Sequence, residues 1–305
     1  MQVNLVSTWQ QKASHVSAVN NKAYSTHRYC KLIGLNTSSY YAIKARQALP
    51  VTIKPEQIAL KATFMASGQT YGSRRLVKAM RHRGLIIGRY RVRRLMKSAH
   101  LIPVWKRKFV RTTDSKHTGR IAPNLVQQDF RVSRKNAVWV ADITYIRTQS
   151  GWLYLAAVLD LYARKIVGWA LASHMRASLV CSALNMAIIA RQPAPGLIVH
   201  TDQGSHYASD DYCQLLAKHE LTASMSGKGN CDDHAVMERF FLNLKMERVW
   251  QTNYANHQEA IRDISHYIVA FYNAYRLHST LGYLSPNQFE AHLTEMQQNT
   301  SIEVP

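Results

Sequence analysis

The order of apolar runs in residues 138–250 is the feature that most strongly limits what this chain can fold into. Val138–Ile146, Trp152–Leu159 and Lys165–Leu171 are strand-length runs rich in β-formers, and Gly151 supplies a turn short enough for an antiparallel hairpin. Helices and strands then alternate in the order helix Ala177–Ala190, strand Leu197–Thr201, helix Asp210–His219, strand Thr222–Ser226 and helix Ala235–Trp250. This order predicts an α/β domain with a mixed five-stranded sheet flanked by helices.

Three acidic residues lie on separate elements of this domain. Asp142 lies in the middle of the first apolar strand, where a carboxylate costs free energy unless something compensates it. Asp202 follows the fourth strand, and Gly204 lets the backbone turn tightly after it. Glu238 lies on the long last helix, and Lys245, seven residues on, faces the same side. The apolar stripe that we expect this helix to bury consists of Met237, Phe240, Phe241 and Leu244.

Three carboxylates that converge on one cleft would form an oxygen-rich site. Hard divalent cations such as Mg²⁺ prefer such ligands, and two of these ions can stabilise both the attacking and the leaving oxygen in phosphoryl transfer. Each acid also has an ordinary alternative. Asp142 could be a satisfied polar residue, Asp202 a turn or helix-cap residue, and Glu238 a solvated helical acid. Their conjunction with Lys245 favours a metal-dependent catalytic site.

Basic residues are concentrated in one part of the chain. The sequence has 39 Lys and Arg against 18 Asp and Glu, a formal net charge of +21, and residues 74–120 hold sixteen of the bases and a single acid, Asp114. Such an excess favours a polyanionic partner, of which nucleic acid is the commonest. An anionic membrane is the alternative, but we find no apolar run near 18 residues and no N-terminal signal pattern. We therefore expect a cytoplasmic protein that binds DNA or RNA.

Two helical segments precede the α/β domain. Residues 25–45 have apolar residues at helical spacing around Gly34, which fits a helix-turn-helix and a plain two-helix hairpin about equally. In residues 58–102, Gly84 and Gly88 separate two helices that each have an apolar face and basic residues. We expect DNA contacts from the basic side chains of this segment and of the polar stretch after it, namely Arg74, Arg75, Arg89, Arg91, Arg93, Arg94, Lys97, Lys106, Arg107 and Lys108.

Shifts in composition predict five regions. Residues 1–50 are expected to form an N-terminal helical or helix-turn-helix segment, and residues 56–105 a basic helix-turn-helix DNA-binding domain. A basic linker is expected at residues 106–130, the catalytic core with C-terminal helices at 131–292, and a polar tail at 293–305. Within the core, the pattern from Gln258 to Phe289 predicts helix.

At the acidic residues the sequence resembles the OrfB-type transposases of the IS-three family of bacterial insertion sequences. The segments that carry the resemblance are Trp139–Tyr145, His200–Gly204, Gly229–Cys231, Met237–Phe240 with Lys245, Gly151–Ala156, Ile166–Trp169, Tyr272–Asn273, Arg276–His278 and Tyr71–Arg75. Asp202 and Glu238 are separated by 35 residues, which matches the D-D-35-E spacing of that family. The chain differs from the usual family pattern at Gln203, Asp232 and His234.

This resemblance implies an RNase H-like integrase core, preceded by all-α helix-turn-helix modules. It implies that Asp142, Asp202 and Glu238 are catalytic and hold two Mg²⁺ ions, for which Mn²⁺ can substitute, and that Lys245 contacts DNA near the cleft. The implied reaction is cleavage of a DNA strand by water at the end of the element. The freed 3′-hydroxyl then attacks another phosphodiester.

The resemblance also implies partners and a location. The expected partners are double-stranded DNA, both the ends of an insertion sequence and a target, and further copies of the chain. OrfA, as a separate protein or fused by a frameshift, would add a further helix-turn-helix and a coiled coil. The expected location is the bacterial cytoplasm, at the nucleoid.

Two other functions stay open on the sequence alone. A DNA-binding regulator would act through the helix-turn-helix modules, and the presence of all three acids argues against it. A nuclease of the RNase H type, acting on RNA–DNA hybrids, would use the same acids. The basic N-terminal modules and the position of Lys245 favour transposition over this nuclease.

Overall fold

The computed structural model describes residues 25–32, 34–48, 54–104, 122–126, 132–227 and 235–292. The chain divides into two compact units, Met1–Pro55 and Glu56–Pro305. In the first unit, helices α1 (Thr26–Leu32) and α2 (Thr37–Ala48) are joined by a short turn at Gly34, whose φ is 65°. The sequence of residues 25–45 predicted two helices on either side of this glycine, and both are present.

Three helices begin the second unit. They are α3 (Pro55–Ala66), α4 (Ser73–His82) and α5 (Arg89–Ser98). Gly84, at φ 78°, follows α4 in the left-handed conformation that lets the chain turn towards α5. All three helices contribute to one apolar cluster, which contains Leu60, Phe64, Leu76, Val77, Met80, Val92 and Met96. Tyr71, which precedes α4 by two residues, lies fully buried in this cluster.

The five strands form one mixed sheet in the order β3-β2-β1-β4-β5. Their bounds are β1 Val138–Thr148, β2 Gly151–Asp160, β3 Lys165–Ala172, β4 Ile198–Thr201 and β5 Thr222–Met225. Strands β1, β2 and β3 pair antiparallel, whereas β4 pairs parallel to β1 and β5 parallel to β4. The mixed five-stranded sheet predicted from the sequence is confirmed, and its strand order is RNase H-like.

Helices cover both faces of this sheet. They are α6 (Ala177–Arg191), α7 (Asp210–Lys218), α8 (Ala235–Glu247) and α9 (His257–His266). Alternate residues of β1 enter the two cores, as the two-residue period of a strand requires. Trp139 and Ala141 pack with residues of α6 and α7, whereas Val140 packs with residues of α8 and α9. A three-layer arrangement follows, with the sheet in the middle.

The C-terminal part departs from the helical pattern predicted for Gln258–Phe289. Helix α9 continues as a π-helix at Tyr267–Asn273, a short 3₁₀ helix follows at Ser279–Leu281, and α-helix returns at residues 286–292. Tyr267 and Tyr272 are both buried although they are five residues apart. The i→i+5 hydrogen bonding of a π-helix brings such residues onto one face, so the buried pair explains why the α-helical spacing is lost.

The predicted domain boundaries are not tested by these elements and stay predictions. Most of the basic linker expected at 106–130, and all of the polar tail at 293–305, lie outside the described residues. Residues 56–104 and 132–292 belong to the same compact unit, and Leu277 packs into the apolar cluster around α3, α4 and α5. Within the described part of the chain, no helix is long and apolar enough to cross a membrane.

The contact between β3 and α6 leaves no room for a side chain at Gly168. A Cβ there would overlap the carbonyl oxygen of Ala183 and lie 2.7 Å from the amide nitrogen of Ala187, and neither backbone atom can move aside cheaply. We expect Gly168→Ala to lower the free energy of unfolding by about 3 kcal/mol, the upper end for overpacking. Gly88→Ala is the control, because nothing lies within 4 Å of its Cβ. Equal denaturation midpoints for the two variants would contradict this packing.

Candidate active site

The pairing of β1 with β4 brings Asp142 and Asp202 to neighbouring positions. Val140 is the register partner of His200 in this parallel ladder. Asp142 lies two residues further along β1, and Asp202 lies two residues after His200, just past the carboxyl end of β4. Neighbouring strands are about 4.8 Å apart, so the two acids lie side by side.

Short hydrogen bonds fix the two aspartates locally. Oδ1 of Asp142 accepts a hydrogen bond from the amide of Ile143 at 2.7 Å, and Oδ1 of Asp202 accepts one from the amide of Gly204 at 3.0 Å. A Cβ at Gly204 would lie 2.6 Å from Nε2 of His206 and 2.9 Å from Oδ1 of Asp202. A side chain here would therefore displace the Asp202 carboxylate or the His206 ring, which both approach the glycine closely.

Helix α8 carries Glu238 and Lys245 beside β1. The four apolar residues expected to face the core, Met237, Phe240, Phe241 and Leu244, are all buried, which confirms the predicted stripe. Glu238 is exposed, and Lys245 is half-buried with its Nζ 4.6 Å from the ring centroid of Tyr145 on β1. The expectation that α8 reaches Trp250 is wrong, because the helix ends at Glu247 and a 3₁₀ turn follows at Val249–Gln251.

Electrostatic interactions join these four charged groups into one cluster. Burial, and then the charges of Asp202 and Glu238, together raise the pKa of Asp142 to about 8, against the lowering effects of the Ile143 amide and Lys245. Burial lowers the pKa of Lys245, and the charge of Asp142 partly offsets this. The sequence predicted that the three acids meet, and each of the other two acids does influence Asp142.

The donor atoms of this cluster fit a hard divalent cation. Its ligands would be carboxylate oxygens alone, which Mg²⁺ prefers, and a cation would relieve the repulsion that helps to raise the pKa of Asp142. Among the described residues, however, no group of three or more His, Cys, Asp or Glu is arranged to hold a metal ion. The chemistry of the set therefore fits a divalent cation, and a site shared by all three acids stays a prediction. Asp232 and His234, which precede α8, lie outside the described residues.

Two buried tyrosines lie behind the aspartates, and sequence reasoning missed them. Tyr207 and Tyr212 are stacked edge-to-face with ring centroids 5.3 Å apart. Burial raises the pKa of Tyr207 well above its usual value, and the charges of Asp142 and Asp202 add to this effect. Neither hydroxyl has a hydrogen-bond partner within the part of the chain that the structure describes. These rings lower the polarity of the surroundings of the two acids, which strengthens the interactions between their charges.

A buried ion pair anchors helix α8. Nε and Nη2 of Arg276 donate hydrogen bonds of 2.8–3.1 Å to both carboxylate oxygens of Glu247, and the two side chains are 2% and 7% exposed. The hydroxyl of Tyr267 donates to the same carboxylate at 2.7 Å. Asn273 hydrogen-bonds the amide and the carbonyl of Ile166 on β3. The Tyr272–His278 region, known from the sequence only as a matching motif, thus holds the helix that carries Glu238.

Tyr71 attaches the same region to the basic helices. Its hydroxyl donates to the carbonyl of Tyr275 at 3.2 Å and accepts from the amide of Leu277 at 2.8 Å, on either side of Arg276. The rings of Tyr71 and Tyr275 are stacked at 6.2 Å. The basic helices α4 and α5 are therefore packed against the segment that anchors α8.

The candidate DNA-binding residues differ in exposure, and their DNA contacts stay predictions. Arg91 pairs with Glu56 at 2.8 Å, and Arg75 is half-buried with its guanidinium 5.7 Å from the ring centroid of Tyr71. Burial lowers the pKa of Arg75, and the nearby Arg276 charge lowers it further. Fully exposed members of the set are Arg74, Arg89, Arg93, Arg94 and Lys97. Lys106, Arg107 and Lys108 lie outside the described residues.

An RNase H-like sheet with adjacent aspartates on two parallel strands and an acidic helix beside them defines an integrase-core polynucleotidyl transferase. Two regions, residues 132–231 and 238–293, match family models described as the integrase core domain. Residues 56–109 match the family model of an HTH-like domain. The class thus rests on both the catalytic and the helical parts of the chain.

Relatives of known family are similar over nearly their whole length. Over 269 residues the chain is 41% identical to the insertion element IS600 uncharacterized 31 kDa protein of Shigella sonnei, which covers 88% of this chain and 99% of that protein. Over 272 residues it is 36% identical to transposase InsF for insertion sequence IS3A of Escherichia coli (strain K12), covering 88% of this chain and 94% of InsF. The chain therefore belongs to the IS3 family of transposases.

One solved structure has a similar fold but a lower sequence identity. It is the HTLV-2 integrase catalytic core domain in complex with magnesium (dimeric form), with a TM-score of 0.39 and 16% sequence identity. The match covers 51% of this chain and 96% of that one.

The buried ion pair gives a stability prediction. Arg276→Met leaves the Glu247 carboxylate buried without its partner, so we expect the free energy of unfolding to fall by about 3–5 kcal/mol. Arg91→Met, which breaks the partly exposed pair with Glu56 (side chains 43% and 37% exposed), should cost about 1 kcal/mol or less. Chemical denaturation of the two variants measures the difference, and similar losses in both would contradict the anchoring role of Arg276.

Proposed function

We propose that this protein cleaves DNA strands at the ends of an insertion sequence and joins them to other DNA with the acids Asp142, Asp202 and Glu238. The observation that carries this assignment is the parallel pairing of β1 with β4, which brings Asp142 close to the Asp202 that follows β4, with α8 beside them. Water attacks a phosphodiester at the end of the element and releases a 3′-hydroxyl. That hydroxyl then attacks the phosphorus of a second phosphodiester. A new P–O bond to the 3′-oxygen forms as one P–O bond of the second phosphodiester breaks.

The three carboxylates would hold two Mg²⁺ ions, with Mn²⁺ as a substitute. When bound, these ions supply positive charge that stabilises the attacking and leaving oxygens of the phosphodiester. Asp142 and Asp202 provide the adjacent pair of ligands, and Glu238 provides the third from α8. The buried ring of Tyr207, which interacts with both aspartates, excludes water beside them and so strengthens electrostatic interactions at this site.

Lys245 would bind a DNA phosphate next to the acids. Its amino group lies on the ring of Tyr145 and within the field of Asp142, so its position is fixed before DNA arrives. The exposed bases of α4 and α5, with Lys106, Arg107 and Lys108, would neutralise phosphates of the flanking duplex. The partners on this proposal are the two DNA ends and the target, further copies of the chain that bring the ends together, and OrfA. The site of action is the bacterial nucleoid in the cytoplasm.

Substitution of one aspartate separates catalysis from DNA binding. Asp142→Asn keeps the shape of the side chain but removes its charge, so we expect strand transfer to fall at least about 10³-fold, the equivalent of several kcal/mol of lost transition-state stabilisation. Binding of the same DNA should stay within about twofold, because phosphate contacts from distant bases supply most of the affinity. Strand transfer on labelled insertion-sequence ends and fluorescence anisotropy measure the two quantities.

A surface acid provides the matched control for this experiment. Asp210→Asn, in the first turn of α7 and exposed, removes the same charge away from the cluster, so both activities should stay near those of the parent. Unchanged strand transfer by the Asp142→Asn protein would overturn the catalytic assignment. If the parent itself bound these ends but transferred no strands, the chain would instead be a DNA-binding regulator of its family.

A further inference from the structure

Two aromatic rings of the β1–β2 hairpin lie in a row between two cations, one from α8 and one from β1. Nζ of Lys245 lies 4.6 Å from the ring centroid of Tyr145, and this ring meets the indole of Trp152 edge-on at 5.2 Å. The guanidinium of Arg147 lies 5.1 Å from the Trp152 ring, and the two residues are direct cross-strand partners. We call Lys245, Tyr145, Trp152 and Arg147 the aromatic ladder.

The outer end of the aromatic ladder is open to solvent. Trp152 is 43% exposed, and Arg147 is exposed as well. The exposed part of the indole offers a flat face on which another ring can stack. The two cations make an anionic partner favourable and an apolar one unfavourable.

The hairpin that carries the aromatic ladder is held at its tip. The amide of Gln149 donates to the carbonyl of Tyr254 at 2.9 Å, and the hydroxyl of Ser150 donates to the carbonyl of Ala255 at 3.2 Å. Gly151 adopts a φ of 113°, which the tight turn between β1 and β2 requires. Trp152 is therefore held in position before any ligand binds. Because the protein does not have to become ordered on binding, little binding free energy is lost to ordering.

The aromatic ladder begins at the acids. The charge of Asp142 acts on Lys245, whose Nζ lies on the Tyr145 ring, so Lys245 connects the acids to the aromatic ladder. Asp142 and Arg147 are five positions apart on β1, so their side chains lie on opposite faces of the sheet. A nucleic acid with a phosphodiester at Asp142 would therefore reach Trp152 by passing Lys245. The flat face of an indole stacks on a base only when that base is not already stacked in a duplex.

We propose that the aromatic ladder binds unpaired nucleotides next to the phosphodiester at Asp142. Trp152 stacks on a base, and Arg147 and Lys245 neutralise the phosphates on either side. The ligand class is single-stranded DNA continuous with a duplex end, such as a frayed or unpaired terminus. This inference rests on the proposed function, because it requires DNA at Asp142.

Binding to two fluorescent probes tests the aromatic ladder. Both are duplexes of the same sequence, one blunt and one ending in a short unpaired oligothymidine, and neither assay requires cleavage. Trp152→Ala should weaken binding of the extended probe about tenfold, the effect of losing one stacked base, and leave the blunt probe unchanged. Trp152→Phe should retain most of the preference, because a ring remains. Ile189→Ala, an exposed apolar residue of α6, is the control and should change neither affinity.

The salt dependence separates stacking from charge. Arg147→Gln should reduce the slope of log affinity against log salt by about 1 on the extended probe, whereas Trp152→Ala should leave that slope unchanged. Equal losses on both probes in the Trp152→Ala protein, or no loss on either, overturn the proposal. Thermal melting of the Trp152 variants establishes that they are folded.

The Asp142→Asn protein distinguishes this inference from the proposed function. Because it retains the aromatic ladder, it should prefer the extended probe as the parent does, whatever its effect on strand transfer. If it prefers that probe yet still transfers strands, the catalytic assignment alone fails. If Trp152→Ala does not reduce the preference while Asp142→Asn abolishes strand transfer, the aromatic ladder alone fails.

Discussion

Repulsion between adjacent carboxylates is the constraint on which this structure depends. The parallel pairing of β1 with β4 sets Asp142 and Asp202 side by side, and the helix that follows β5 brings Glu238 near them. Burial and the two neighbouring charges hold the pKa of Asp142 at about 8, so the folded chain keeps an acid where water alone does not stabilise its charge. A fold that maintains such a cluster is suited to bind cations and, through them, phosphodiesters.

The remainder of the second unit keeps this cluster in place. Arg276 and Tyr267 hold the Glu247 carboxylate at the end of α8, nine residues after Glu238. Tyr71 hydrogen-bonds the backbone on both sides of Arg276, so the basic helices pack on the segment that anchors the catalytic helix. The DNA-binding and catalytic parts of the chain thus share a buried polar connection.

Much of this arrangement could be predicted from local patterns. The apolar stripe of α8 and the alternating faces of β1 follow directly from helical and strand periodicity. The placement of the three acids on separate elements, together with the family resemblance, identified them as candidate catalytic residues. The π-helix was not predictable in this way, because the five-residue spacing of Tyr267 and Tyr272 depends on what they pack against. The contact of Tyr71 with Leu277 joins residues 206 positions apart, and Arg276 looks in the sequence like any solvated base. The π-helix, the contact of Tyr71 and the burial of Arg276 all depend on packing between residues far apart in the sequence, which local patterns do not contain.

The central claim is that the side chains at positions 142, 202 and 238 bind a shared pair of ions. Anomalous diffraction from crystals of the protein grown with DNA and Mn²⁺ tests it most directly. We expect two Mn²⁺ peaks near the carboxyl end of β4, bonded at about 2.1 Å to oxygens of all three acids. Peaks bonded to the aspartates with Glu238 turned away, or ions bound elsewhere on the protein, would contradict it.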